Sequence, residues 1–172
     1  MKRLALLSTV LGVLVSACGS SSPSAPTTPT NPTFTAALSP ANEVPAIVGA
    51  EASGSGTATV TLVTTKDAAG NVTSATATFV VNLSGFPAGT PINIAHIHQA
   101  AAGVNGSVVV NSGLTAGQTV LANGSGSFTA ANLTVTPDLA NLILTNPAGF
   151  YFNVHSTLNP GGVARGQLVR VQ

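Results

Sequence analysis

The sequence predicts an all-β protein: an antiparallel, immunoglobulin-like or Greek-key β-sandwich with one short helix. Three observations predict it. Apolar and polar residues alternate with period two in several short segments, clusters of turn formers separate those segments, and a single stretch shows helical spacing between caps.

The first 32 residues stand apart from that pattern. Residues 2–18 read "KRLALLSTVLGVLVSAC": two basic residues, an apolar run from Leu4 to Val15, then small residues and the chain's one cysteine. That is the layout of a secretory signal, and the run is shorter than the roughly 20 apolar residues a spanning helix needs. "VSAC" resembles the lipobox of bacterial lipoproteins. The resemblance implies a signal peptide over residues 1–17, cleavage before Cys18, and lipid on its thiol. The alternative is a buried or reactive free cysteine. Gly19 stands where an aspartate retains some lipoproteins at the inner membrane, so the expected location is the cell envelope, with the outer membrane or cell surface favoured. Residues 19–32, "GSSSPSAPTTPTNP", hold four prolines and no large apolar side chain. With Cys18 they read as a lipidated, extended tether, which at roughly 3.1 Å per residue reaches some 40 Å.

Residues 33–172 are the folded domain. Strand candidates are 34–38, 56–63, 75–83, 92–98, 107–110, 127–135, 150–155 and 164–171. In "ATATFVVNL", Ala75, Ala77, Phe79, Val81 and Leu83 share one face. "KDAAGN" at 66–71, "GFPAGTP" at 85–91 and "NPGG" at 159–162 supply turns. In "NPGG", Pro160 presets a turn and Gly161 is expected to supply a positive φ. The helix candidate is "TPDLANLI": Thr136 as N-cap, Pro137 at the first helical position, Asp138 in the first turn, and Leu139, Leu142 and Ile143 on one face. It should plug one end or edge of the sandwich.

Composition narrows the function. Charged residues are 5% of the chain, against about 25% in an average domain. Without Lys2 and Arg3, three basic and four acidic residues remain, so no basic patch exists for nucleic acid. No cysteine pair is available, so burial alone must hold an exported domain together. Nucleophilic hydrolysis lacks a base–acid pair beside a serine, and no G-x-S-x-G occurs. Nothing supports Glu43 and Glu51 as paired glycosidase carboxylates.

The chain's three histidines carry the remaining chemistry. In "INIAHIHQ", His96 and His98 are two apart on a strand and project from one face, behind Ile92 and Ile94. In "FYFNVHS", Phe150, Phe152 and Val154 form a core face, while Tyr151, Asn153 and His155 form a polar one. If the two strands pair, three imidazoles converge, a donor set suited to copper or zinc. Neutral imidazole is the ligand, so binding should weaken as pH falls through roughly 6.5. The competing reading is ordinary polar residues at strand ends.

"NEVPAI" (42–47), "AHIHQAAAGVNGSVVV" (95–110) and "YFNVHSTLNPGGVARGQL" (151–168) resemble the CHRD domain, named from chordin and found also in bacterial secreted proteins. The resemblance spans roughly residues 34–171. Departures fall at Ala46, at Ala100–Ala102 and at Val163, where the family pattern has a proline, a glycine and an acid. All three histidines match. In chordin the module belongs to a growth-factor-sequestering protein. For bacterial members the resemblance implies a fold and a surface, and hence a non-catalytic binding module with an extracellular protein or glycan as partner. Asn42, Glu43, Asn153, Pro160, Gly161 and Arg165 are its structural residues here. Glu43 and Arg165 are the acid and base inside the motifs and are expected to pair, through two parallel hydrogen bonds in the ideal case. The H-x-H strand is also similar to copper–zinc superoxide dismutases. Those enzymes use more histidines, a zinc-binding aspartate and a disulfide, so a copper oxidoreductase is the secondary expectation.

Overall fold

The computed structural model describes residues 31–172. The signal segment, Cys18 and the tether up to residue 30 lie outside the described residues. The strands are β1 (Thr33–Leu38), β2 (Ser55–Lys66), β3 (Val72–Ser84), β4 (Thr90–Gln99), β5 (Ser107–Asn111), β6 (Thr119–Leu121) and β7 (Gly126–Val135). After helix α1 (Pro137–Thr145) come β8 (Phe150–Ser156), β9 (Ala164–Gln167) and β10 (Val169–Arg170). One sheet has the order β10-β1-β2-β3-β7 and the other β5-β4-β8-β9, with β6 also pairing β4. Every pairing is antiparallel. The chain leaves the first sheet after β3, returns at β7, and crosses again to β8. The described residues form an antiparallel β-sandwich with one α-helix.

Alternation builds the core. Ala75, Ala77, Phe79, Val81 and Leu83 of β3 are all buried, as are Ala58, Val60 and Leu62 of β2. From the second sheet come Ile92, Ala95, Ile97, Phe150, Phe152 and Val154. Phe79 meets Phe152 edge to face at 5.1 Å between centroids, joining the two sheets at their middle.

Three local expectations are corrected. The stretch 164–171 is two strands, because Leu168 turns into the core (1% exposed) and its N–H donates to the Phe150 carbonyl. The chain switches sheets there. In α1 the N-cap is as expected, with Thr136 Oγ1 accepting from the Leu139 N–H at 3.3 Å. The inward face, however, is Ala140 and Ile143, flanked by Leu139 and Leu144, while Leu142 is 48% exposed. The burial centre sits one residue away from the leucine spacing. Finally, a register shift between Ile92 and Ile94 leaves Asn93 unpaired against β8. An extra residue reverses the alternation. Ile92 therefore lies in the core with Ala95 and Ile97, and of the two isoleucines only Ile94 shares the histidine side.

The outer face of the second sheet is unusual in being covered. All seven residues of β8 are buried. Segments 39–53, 100–106 and 157–163 hydrogen-bond to side chains of this face, which apart from Ile94 are mostly polar.

Candidate metal centre

Register places the polar residues in rows. His98 of β4 opposes Tyr151 of β8, which opposes Gln167 of β9; His96 opposes Asn153, which opposes Arg165; Ile94 opposes His155. His96 and His155 thus belong to adjacent rows on neighbouring strands, and the sequence separation of nearly sixty residues closes to contact. His155 Nε2 lies 2.7 Å from His96 Nε2. The His96 ring meets those of His98 and His155 edge-on, at 4.4 and 4.5 Å between centroids. One nitrogen from each of the three lies within 4.8 Å of the others.

The backbone sets the tautomers of two rings. His98 Nδ1 is 2.8 Å from the Gly106 carbonyl oxygen, and His155 Nδ1 is 2.9 Å from that of Pro160. A carbonyl only accepts, so both Nδ1 atoms carry the proton and both Nε2 atoms present a lone pair inward. His98 Nε2 is buried without a partner. A ring N–H held by a backbone carbonyl is the arrangement that orients imidazole ligands of metals. The "NPGG" turn therefore does more than reverse the chain, since Pro160 supplies the oxygen that aims His155.

Burial and neighbours push all three rings toward the neutral form. For His96, burial acts first and the neighbouring His155 and His98 next, lowering its pKa to about 3. Burial also lowers His98, opposed by the Gly106 hydrogen bond and aided by Arg165. It lowers His155, opposed by the Pro160 bond and aided by His98. The pH at which protons compete for these nitrogens is thus displaced below the 6.5 expected from free imidazole.

The donor set fits a transition-metal ion. Three neutral imidazoles suit copper or zinc, the ion taking the place of the hydrogen bond between His96 and His155. Zinc–nitrogen bonds of about 2.0–2.1 Å put two tetrahedral ligands roughly 3.3 Å apart. The nitrogens here span that value, from the 2.7 Å contact to within 4.8 Å. An ion needs the closest pair to part by roughly half an ångström, and a fourth position is left for solvent or a partner.

Tyr151, the chain's one tyrosine, is a part of the site that spacing did not single out. Its ring stacks on His98 at 4.6 Å and 4°. Its hydroxyl accepts from the Gly106 N–H at 3.2 Å, so it steadies the residue whose carbonyl orients His98. Gly106 has to be glycine: a Cβ there would overlap the carbonyl of Gln99 and the Cβ of Ala100. The Arg165 guanidinium lies 4.8 Å from the centre of the Tyr151 ring.

Behind the histidines the structural residues form one polar network. Arg165 and Glu43 do pair, but through one contact of 3.8 Å between Nε and Oε2 rather than two parallel bonds. The reason is competition: Arg165 Nε donates to the Asn42 carbonyl at 2.6 Å, and Nη1 to Asn105 Oδ1 at 2.8 Å. Asn42 returns a bond from Nδ2 to the Arg165 carbonyl. Burial raises the Glu43 pKa to about 7 against the lowering effects of Arg165 and an Asn153 hydrogen bond. Val163, where the family pattern has an acid, is fully buried, and the acid in contact with Arg165 is Glu43. The positive φ falls at Gly162 (+135°) and not at Gly161. A Cβ on Gly162 would stand 2.7 Å from Asn153 Nδ2 and 2.8–2.9 Å from the Glu43 carboxylate, so the network closes against a bare α-carbon. Glu51, discounted as a catalytic acid, is buried. It accepts from Ser156 Oγ at 2.7 Å and from Asn159 Nδ2, pinning the segment 39–53 to the loop after β8.

No curated protein and no solved structure matches the chain. A family model does: that of the CHRD domain, over residues 34–168. The match takes in both sheets, the three histidines and the Glu43–Arg165 network, and the chain belongs to the CHRD-domain family.

Proposed function

We propose that this protein is an envelope-anchored, non-catalytic binding module that holds one transition-metal ion, copper or zinc, through His96, His98 and His155. One observation carries the reading: three neutral imidazoles from two strands converge, and two of them have Nδ1 tied to backbone carbonyls so that Nε2 faces the cluster. A purely structural set of histidines has no need of inward lone pairs. His98 Nε2, buried without a partner, loses hydration for nothing unless an ion or proton occupies its lone pair.

The signal at residues 1–17, the lone Cys18 and the tether supply the anchoring part of the reading. On this reading the domain stands at the outer membrane or cell surface, facing an extracellular protein or glycan, with no role for nucleic acid. The test is calorimetric titration of the purified protein with zinc and with copper, repeated on His98→Ala. One site per chain is expected in the wild type, with affinity reduced on the order of 100-fold in the variant. Equal affinity in both would remove His98 from the site, and no uptake by the wild type would end the reading.

A further inference from the structure

A cleft lies where the connection from β3 to β4 meets the loop after β8. Its volume is about 460 Å³, within the range of about 300–1,000 Å³ usual for small-ligand sites. Ala50, Pro87, Ala88, Pro91 and Leu158 give it an apolar lining, and Glu51 is the one charged residue on its wall. Leu158 is 66% exposed, so apolar surface stands open to a ligand.

The walls are bonded to one another. The Pro87 carbonyl accepts from both the N–H and Oγ1 of Thr90, at 3.2 and 2.8 Å. The Gly89 N–H donates to the Leu121 carbonyl at 2.8 Å. Across the cleft the Thr157 N–H donates to the Pro91 carbonyl at 3.4 Å, and Asn93 Nδ2 donates to Thr157 Oγ1 at 3.0 Å. The shape is therefore largely set in advance, which lowers the cost of binding.

Glu51 is 3% exposed. Both side-chain hydrogen bonds it accepts end on Oε2, from Ser156 Oγ and Asn159 Nδ2. Oε1 accepts none. The side-chain atoms sealed off without a partner belong to other residues, Glu43, His96, His98, Asn153 and Arg165. Oε1 therefore keeps an opening, and Glu51 lines the cleft. Its two donors are neutral, and no lysine or arginine among the described residues forms an ion pair with it. A carboxylate so deeply buried is costly without a cation.

We propose that this cleft is a second ligand site that takes a small free amine. The ammonium pairs with Glu51 Oε1, and an apolar body packs on Pro87, Ala88, Pro91 and Leu158. The lining comes from three short segments, 50–51, 87–91 and 157–158, with no groove along which a polypeptide would lie. The cleft shares no lining residue with the histidine cluster, so the proposal stands apart from the metal reading.

The probe is benzylamine, titrated at pH 7.5 into nitrogen-15-labelled protein and followed by amide shifts. Saturable shifts are expected at Ala50, Ala88, Gly89 and Leu158. Benzyl alcohol, which keeps the ring and drops the charge, should bind at least about tenfold more weakly. In Glu51→Gln, whose amide oxygen still accepts from Ser156 and Asn159, benzylamine should lose that advantage and bind like the alcohol. Leu158→Ala, at an exposed position, should weaken both probes alike. Equal affinity for amine and alcohol in the wild type overturns the proposal, as does an amine preference that survives Glu51→Gln. So does unchanged binding by Leu158→Ala, or the absence of saturable shifts at these positions. Should Glu51→Gln fail to fold, the wild-type comparison and Leu158→Ala still decide. Tighter binding of Nα-acetyl-lysine methylamide than of benzylamine overturns the free-amine assignment and gives the cleft to a lysine of a protein partner.

Discussion

His155 Nε2 lies 2.7 Å from His96 Nε2 on the neighbouring strand, and both rings are buried. Two imidazoles this close cannot both be protonated, and His96 is the more strongly affected. Its folded pKa is about 3, against about 6.5 in the unfolded chain. Between those values the unfolded state binds the extra proton, so the stability tied to neutral His96 is present above about pH 6.5 and is lost as pH falls toward 3. In metal-free protein, His96→Gln removes this dependence. The stability of the variant relative to the wild type should therefore rise as pH is lowered from 7 to 4.5, measured by urea denaturation. A constant difference across that range would contradict the assignment.

Glu43 has the opposite sign. Its folded pKa of about 7 lies above the ordinary carboxylate value of 4.5, with burial as the main cause. The folded state holds the proton longer, so the stabilisation is complete below pH 4.5 and is lost as pH rises through 7. Glu43→Gln mimics the protonated form. Its melting temperature relative to the wild type should increase between pH 5 and pH 8, by a few degrees for an effect on the order of 1 kcal/mol. If the gap instead narrows, Glu43 is ionised throughout and the Arg165 contact outweighs burial.

Zinc affinity should respond to acid later than free imidazole would suggest. Burial lowers all three histidine pKa values, so fewer protons compete at pH 6 than at free imidazoles. Between titrations at pH 7.5 and pH 6.0 the affinity should fall less than it would for three imidazoles of ordinary pKa. A steep loss between those two points would show solvent-exposed ligands.

Much of this architecture was legible in the sequence because β-structure writes itself in period two. The inward row of β3 from Ala75 to Leu83 and the shared face of His96 and His98 follow from alternation alone. So does the split of β8 into Phe150, Phe152 and Val154 against Tyr151, Asn153 and His155. What alternation cannot show is a place where it breaks. The unpaired Asn93 moves Ile92 to the core, and Leu168 divides one apparent strand between two sheets. Nor does spacing reveal which backbone oxygen aims a ring. Gly106 and Pro160 act through their carbonyls, which every residue possesses. The left-handed position at Gly162 rather than Gly161 was equally hidden, since it depends on how closely Asn153 and Glu43 approach the α-carbon.

That approach makes Gly162→Ala a sensitive probe. The new Cβ would meet Asn153 Nδ2 at 2.7 Å and the Glu43 carboxylate at 2.8–2.9 Å, on a backbone with φ of +135°. Overpacking together with backbone strain should cost about 2 kcal/mol or more. Gly161→Ala meets nothing within 4 Å and should be nearly neutral. Chemical denaturation of both variants checks the contrast, and equal stabilities would mean the 159–162 turn is free to shift.

Tyr151 reaches His98 by two routes. Its ring stacks on the imidazole, and its hydroxyl accepts from the Gly106 N–H while the Gly106 carbonyl accepts from His98 Nδ1. Tyr151→Phe keeps the stack and deletes the acceptor. A half-buried N–H then loses its partner, which should cost about 1 kcal/mol. If the hydroxyl matters only for folding, zinc affinity of the folded variant should be unchanged. If it steadies the carbonyl that orients His98, affinity should fall about tenfold even where the variant is fully folded. The geometry favours the second outcome, because the hydroxyl and the His98 ring engage the N–H and the carbonyl of the same residue. Denaturation and zinc titration of Tyr151→Phe, run together, separate the two effects. A loss of stability with no change in affinity would restrict the tyrosine to packing.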